Sequence, residues 1–510
     1  MFVKKKTLPK TFWCLKLFVI SILFFVSAVS RTVYAKIIYI PADSSTVQKG
    51  INGASDGDTI LVLSGTYYEN IDFSGKKILV ASNFIFDQDP KTIDSTIIDG
   101  SNIESVVLFL SDEDSNSVLA GFTIQNGKSY RIDELFYGGG IFCVSSPTIR
   151  NNKITKNEDH FGGGIACMFH TCRAKIMGNV ITQNQGVVGG GVFVFDSSPT
   201  IQNNDIFENT ASYRGGGIFC KFTDAIITGN RIFKNYSEIY GGGIYTIYSS
   251  PKIIGNVIAF NHAEDKGGGE FGSVESLGVI KENLIYENTA PDGGGIYQRN
   301  CNTLIVNNTI VANQAEEGGG VLLSGSNFHP QLLNNIISDS KDGGGIFCSG
   351  GSHPFLGYND VWSNSGGNFV GCPPGTGNTS WGENVNGSPC DSFYNFSEDP
   401  LFSNPDENLY QLLCRSPCRK AGVSVLDPSK DREERVDLGA LEYFTLMGNA
   451  DDEDGVEVAD VFYFAYYLFK SGFPPCDSES IDLNCDGKAE LVDLMHLINY
   501  VFRDIPFPCY

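Results

Sequence analysis

Apolar residues along most of this chain come in runs of three to five, too short for helices and broken by Gly, Asn, Ser and Pro. A glycine triplet sets the beat. It begins at Gly138, Gly162, Gly189, Gly215, Gly241, Gly267, Gly293, Gly318 and Gly343, with spacings of 24 to 27 residues. Each triplet opens an apolar run such as Ile244-Tyr245. A turn such as Ser249-Ser250-Pro251 follows, then a second run, Lys252-Ile253-Ile254. Next come Asn256, a third run at Val257-Ile258-Ala259, and Asn261. Three short strands per repeat cannot bury their apolar faces alone, but stacked coils close a continuous core. The pattern predicts a parallel β-helix.

Polar positions recur with the same period. One Asn per coil falls at Asn152, Asn179, Asn204, Asn230, Asn256, Asn283, Asn308, Asn335 and Asn359, and most have a second Asn five residues later, from Asn157 to Asn364. The expectation is that each sits in a tight turn in the left-handed conformation and hydrogen-bonds its neighbour in the next coil. The triplets supply positive φ and close backbone approach at one corner. A phosphate-cradling loop would need a Lys-Ser or Lys-Thr ending, which no copy has. Residues 36–126 carry similar runs, Ile37-Ile38-Tyr39-Ile40 and Thr59-Ile60-Leu61-Val62-Leu63 among them. The one good helix candidate there, Thr46 to Ala54, is expected to cap the open N-terminal end of the solenoid.

Several segments add a resemblance. Val47-Gln48-Lys49-Gly50-Ile51, Gly57-Asp58-Thr59-Ile60 and Gly65-Thr66-Tyr67-Tyr68-Glu69-Asn70-Ile71 resemble the opening of pectin-lyase-like right-handed β-helix proteins. The Gly-Gly-Gly-Ile-Phe coils with paired Asn resemble their repeat. Asp399-Pro400-Leu401-Phe402, Ser416-Pro417-Cys418 and Asp437-Leu438-Gly439-Ala440-Leu441-Glu442 resemble the closing segment of secreted bacterial members. The resemblance covers roughly residues 36–443 and implies a right-handed parallel β-helix. Its superfamily spans lyases, hydrolases, esterases and adhesins, so fold alone selects no activity.

Each of those chemistries has its own residue requirements. Glycoside hydrolysis needs two carboxylates flanking one bond. Elimination from a uronate needs a charge neutraliser and a base. Asp159, His160, Arg214, Lys266, Asp292, Glu316, Glu317 and Asp342 lie just before triplets and should form a polar line along one edge, whose simplest reading is a solvated turn edge. Glu270 is the catalytic candidate. It interrupts a ladder of Ile141, Ile165, Val192, Ile218, Ile244, Ile296, Val321 and Ile346. Buried there, it needs a partner such as Lys266, or it holds its proton like a general acid. The next position gives Phe142, Phe193, Phe219, Tyr245, Phe271, Tyr297 and Phe347. Strand alternation turns these outward, either bare for sugar rings or covered by packed loops.

After Glu442 a different duplication begins. Residues 482–493 form a twelve-residue loop with oxygen ligands at Asp482, Asn484, Asp486, Glu490 and Asp493, Lys488 at position 7, and Gly487 at the sharp turn. This is the pattern of an EF-hand-like Ca2+ loop. Leu494 to Phe502 then reads as an amphipathic helix. An earlier copy runs from Asn449 through Asp451, Glu453 and Glu457 to Asp460, followed by Val461 to Phe469. The paired loop–helix units, with Asp closing each loop, resemble type I dockerins. The resemblance implies Ca2+ as cofactor and attachment to a cohesin-like protein. Val458-Ala459 and Leu491-Val492 stand where recognition hydroxyls are common in dockerins, so docking on the protein's own β-helix stays open beside an unusual cohesin.

Charge and the N-terminus narrow the setting. With 36 basic and 59 acidic residues the formal charge is −23 and the pI about 4.6. Such a surface repels phosphates, which excludes nucleic acid as an expected partner. Lys4, Lys5, Lys6, Lys10 and Lys16 precede an apolar run from Leu17 to Val29 and a Val33-Tyr34-Ala35 cleavage site. That run is too short to span a bilayer comfortably and reads as a secretory signal, with no membrane span after its removal. In the oxidising surroundings this implies, Cys372 with Cys390 and Cys414 with Cys418 are candidate disulfides. The expected organisation is a signal peptide at 1–35, the mainly β solenoid at 36–443, a linker at 444–447 and the α-helical module at 448–510. The expected role is a secreted or surface-attached, carbohydrate-associated protein. It is either a polysaccharide lyase or hydrolase, or a non-catalytic adhesin on the same scaffold.

Overall fold

The computed structural model describes residues 35–128, 130–132, 135–424, 435–441, 456, 458–470, 481–484, 488–503, 505–506 and 508. The proposed signal peptide therefore lies, but for Ala35, outside the described residues, as does the linker at 444–447. Among the described residues no helix is long and apolar enough to cross a membrane.

The chain winds as a right-handed parallel β-solenoid of about 13 turns. Sheet A has 13 strands, from Ile37–Ile40 to Phe355–Gly357. Sheet B has 12, from Gly65–Tyr68 to Asp360–Trp362, and sheet C has 12, from Ile71–Asp72 to Phe369–Val370. A shorter sheet D, from Tyr130–Ile132 to His262–Ala263, is inserted between B and C in the central coils. Register is held from coil to coil. In sheet A, for example, Ile201, Ile227, Ile253 and Ile280 are successive partners. With Ile206, Ile232, Ile258 and Ile285 of sheet B and the Ile/Val ladder of sheet C they form one buried core.

The two asparagine ladders form, with one correction to the expected backbone. Along the ladders Nδ2 of an Asn donates to Oδ1 of the next, as Asn230 does to Asn256 at 3.0 Å, and to a backbone carbonyl of the preceding coil, here Ile201 O at 2.8 Å. The left-handed residue, however, is the one before the ladder Asn: Asn203 (φ 53), Gly229 (φ 64), Gly255 (φ 63) and Glu282 (φ 56). That residue makes the bend, which frees the next side chain to point inward and bond along the stack. The second ladder is broken at Ser340, whose backbone N–H donates to Asn364.

The three glycines of a triplet serve different ends. Gly215 has φ 68, whereas a Cβ on Gly216 would lie 2.4 Å from Tyr236 O and one on Gly217 2.6 Å from Gly243 O. The first bends the chain and the other two let adjacent coils touch.

The N-terminal end is closed. The helix Val47–Gly53, its first turn capped by Thr46 accepting from Lys49 N–H, buries Val47 and Ile51 against the first coils. Two further short helices, Phe84–Asp87 and Pro90–Ser95, break the expectation of a single helix here. Asp89 caps the second, and Pro90 starts it. At the other end Phe396, Leu412, Cys418 and Leu438 form their own cluster with Ile336. Both expected disulfides are absent. Cys372 Sγ faces Cys348 Sγ, and Cys418 Sγ donates to the buried Asp360 Oδ2 at 3.2 Å, while Cys414 is disulfide-bonded but not to Cys418.

Candidate functional site

The outer face of sheet C carries the aromatic series as a column. Phe193 and Phe219 have ring centroids 5.3 Å apart, Phe219 and Tyr245 5.5 Å, and Phe271 and Tyr297 4.8 Å. They point away from the main core, as strand alternation requires, yet all five are buried. Tyr137 and Val188, with the partly buried Phe161 and Tyr240, cover them as a second apolar cluster. The covered placement is the one adopted.

The covering edge is a ladder of its own. Val188 pairs with Arg214, and the bridges continue through Tyr240, Lys266, Asp292 and Glu317. The expected polar line thus exists, but it does not form a single site. Lys266 is paired with Asp292 and with Asp265 at 3.4 Å. Glu316, Glu317 and Asp342 are exposed. Asp159 and His160 instead line a separate cleft of about 420 Å3 with Glu158 and Glu238, where the backbone N–H of His160 donates to Asp159 Oδ1 at 2.5 Å.

Arg214 marks the place where charge and aromatic surface meet. Its guanidinium carbon lies 4.2 Å from the centroid of Tyr213 and 5.2 Å from that of Tyr245, and Nη2 donates to Tyr213 Oη at 2.8 Å. Planar guanidinium on ring faces is a favourable packing, and Nε of Arg214 is buried there without a hydrogen-bond partner. Lys221 Nζ stands 4.9 Å over Phe222 and 5.6 Å over Phe195. Between the two cations is a cavity of about 320 Å3, walled by Phe161, Phe193, Phe195, Phe219, Met168 and Tyr137. Ala166 occupies the aromatic position between Phe142 and Phe193, so the column lacks a ring at this level. Flat apolar walls with two cations at the rim suit a ring-shaped group bearing an acidic substituent. Phe195 and Lys221 escaped the sequence reading, although a signal existed: each lies two residues beyond a column aromatic and so faces the same side.

Glu270 is placed elsewhere. It points into the solenoid between Ile244 and Ile296 and is 1% exposed. Oε1 accepts from Thr246 Oγ1 at 3.3 Å and Oε2 from Gln298 Nε2 at 2.5 Å, while Thr303 Oγ1 donates to Gln298 Oε1 at 2.7 Å. Its partner is therefore this amide and hydroxyl network and not Lys266. Burial pushes its carboxyl up to about 8, against the lowering effect of those bonds. It is buried in the core and lines neither the cleft at Asp159 nor the cavity at Arg214.

In the C-terminal segment the helices Val458–Lys470 and Leu491–Arg503 pack through Phe464, Leu494 and Leu497 with Ile481 and Leu483. Asp460 and Asp493, the closing positions of the two loops, are both fully buried in the first turn of their helices. Asp493 Oδ1 accepts from the N–H groups of Leu483 (2.9 Å) and Asn484 (3.1 Å), and Oδ2 from that of Glu490 (3.0 Å). Three of about four lone-pair sites are so used, leaving room for one more partner. Asp482 and Asn484 are half-buried on the same loop, while Lys488 and Glu490 are exposed. Asp486, Asn449, Asp451, Glu453 and Glu457 lie outside the described residues, among which no group of three His, Cys, Asp or Glu could hold a metal ion.

Comparison with known proteins adds the following. A family model described as periplasmic copper-binding protein (NosD) matches residues 51–271. No curated protein matches the sequence. Among solved structures, the pectate lyase Pel9A is similar at 13% identity and TM-score 0.42, over 80% of this chain and 96% of that one. The complex of XylC with xylose is similar at 11% identity and TM-score 0.38, over 64% and 82%. The PL6 family alginate lyase AlyGC is similar at 13% identity and TM-score 0.32, over 70% and 55%.

Proposed function

We propose that this is an exported, carbohydrate-associated β-solenoid that takes a sugar ring of an acidic polysaccharide into the hollow at Arg214 and Lys221, beside the covered aromatic column of sheet C. The observation that carries the reading is the hollow between Arg214 and Lys221, walled by Phe193, Phe195 and Phe219. Sugar rings stack on such walls, and a carboxylate or sulfate on the sugar meets the guanidinium edge. None of the described lining residues is a carboxylate, which favours binding or elimination at this cavity over two-carboxylate hydrolysis. The non-catalytic adhesin remains the second reading on that same observation.

The C-terminal segment is proposed as a dockerin-like Ca2+ module. The equivalent burial of Asp460 and Asp493 at the start of two helices supports this duplication. When bound, Ca2+ would be held by Asp482, Asn484, Asp486 and Asp493 and would fix the loop. Phe462, Tyr466, Phe469, Leu491, Val492 and Met495 are exposed on the helices and offer apolar area to a cohesin-like partner or to the protein's own solenoid.

A binding and turnover screen against pectate, alginate, chondroitin sulfate and neutral xylan tests the first proposal. Retention of an acidic polymer in affinity electrophoresis, weakened at least tenfold by Arg214→Ala and by Phe219→Ala, is expected. An unsaturated, ultraviolet-absorbing product marks a lyase, and binding without product marks the adhesin. Binding unchanged in both variants, or no retention of any polymer, overturns the reading.

A further inference from the structure

The last rung of sheet C brings two thiols together. Cys348 lies on the strand Ile346–Ser349, in the inward-facing file that also holds Cys143, Cys167 and Cys220. The strand Phe369–Val370 stacks on it as the final member of the sheet. Gly371 follows with φ 65, and a Cβ there would lie 2.4 Å from Cys348 O. Only a glycine lets the chain pass so close, and the next residue, Cys372, is thereby folded over the end of the core. Its Sγ is 2.6 Å from Cys348 Sγ, 24 positions away in sequence. A disulfide has a sulfur–sulfur distance of about 2.0 Å, so a small closure of the contact suffices.

Access separates this pair from the other thiols. Among the nine free cysteines of the described residues, Cys372 is the one that is not buried. Cys143, Cys167 and Cys172 also lie side by side, but each has 0% exposure. No external reagent reaches them without unfolding, whereas a disulfide-bearing reagent reaches Cys372.

We infer that Cys348 and Cys372 form a disulfide that fastens the last coil of the solenoid to the one before it. The Cys372 thiolate attacks an external disulfide, forming a mixed disulfide and releasing one thiol. Cys348 then gives up its proton and attacks the Cys372 sulfur, expelling the second thiol. Two protein thiols are oxidised while one small disulfide is reduced to two thiols. The clasp sits where it has most to hold, because the final strand of a solenoid has no further coil to cover its apolar side.

Peptide mapping of the full chain, exposed to oxidised glutathione and digested without reductant, tests this. A cross-linked peptide joining Cys348 and Cys372, two hydrogens lighter than the separate peptides together, is expected. The oxidised protein should melt roughly 5 °C higher than Cys372→Ser or Cys348→Ser, and the difference should vanish in dithiothreitol. The vanishing excludes a mere packing defect, and comparing variants removes the contribution of the disulfide at Cys414. Alkylation of both thiols without prior reduction, or a cross-link of Cys372 to Cys390, overturns the inference.

Discussion

Gln298 Nε2 donates to Glu270 Oε2 at 2.5 Å inside a largely apolar core, and Thr246 of the coil before Glu270 donates to its other oxygen. The native carboxyl keeps its proton up to pH of about 8, whereas its ordinary value is 4.5. Between those values the folded chain binds more protons than the unfolded one. Stability should therefore fall as pH rises from 4.5 to about 8 and level off above it, by up to about 5 kcal/mol from this group. Asp360, also pushed up by burial, adds a slope of the same sign. Glu270→Gln should remove its share, so the variant gains relative to the parent as pH rises. Parallel melting-temperature profiles from pH 5 to 9 would show that Glu270 does not titrate this way.

Asn256 links three coils, donating to Ile227 O at 2.9 Å and to Asn283 Oδ1 at 3.0 Å and accepting from Asn230. Asn256→Leu leaves buried partners on both sides unsatisfied and should cost about 1–3 kcal/mol. The check is the denaturant midpoint. A midpoint that does not move would mean that the stacked amides contribute nothing net.

Glycines separate two kinds of constraint. A Cβ at Gly217 meets the carbonyl of Gly243, whereas Gly255, at φ 63, has nothing within 4 Å of one. Gly255→Ala should cost only the left-handed strain, about 1 kcal/mol. Gly217→Ala must push adjacent coils away from each other and should cost several times more, with loss of soluble protein as the visible limit. Equal melting temperatures for the two variants would contradict contact-limited stacking.

Calorimetric titration of the full chain with Ca2+ should show two unequal steps, or one. The second proposed loop offers short side chains at Asp482, Asn484 and Asp486 and a glycine where its turn would fall. The first has Asn449 at position 1, the longer Glu453 at position 5 and Asp454 where Gly is favoured. Asp482→Ala should erase the tighter step and Asn449→Ala only the weaker. Two steps of equal affinity would refute that alignment.

Local sequence was sufficient wherever the structure repeats. In a solenoid each coil contacts only its neighbours, so a motif such as Gly-Gly-Gly-Ile-Phe meets a copy of itself and its environment is written in its own period. The core ladder of Ile253 and Ile280 and the asparagine stack were legible for this reason. The placement of left-handed φ one residue early was not, because the period fixes that a bend occurs and leaves open which of two adjacent residues makes it.

Contacts that cross between different kinds of element were decided by the tertiary structure. Sequence offered Glu270 either Lys266, four positions away, as a partner or a carboxyl that keeps its proton, and the structure gives the second. The register places its side chain inward with Thr246 and Gln298, and hands Lys266 to Asp292 on the edge. Sequence made Cys372 with Cys390 and Cys414 with Cys418 candidate pairs by nearness along the chain and left the pairing open. The fold turns Cys372 to Cys348 and Cys418 to Asp360, because the cap returns the chain across the last coils. The cavity at Arg214 and Lys221 likewise needed sheet D to bring its edge over the aromatic column. Periodicity determines which face a residue takes within a stack. Only the path of the insertions decides what covers that face.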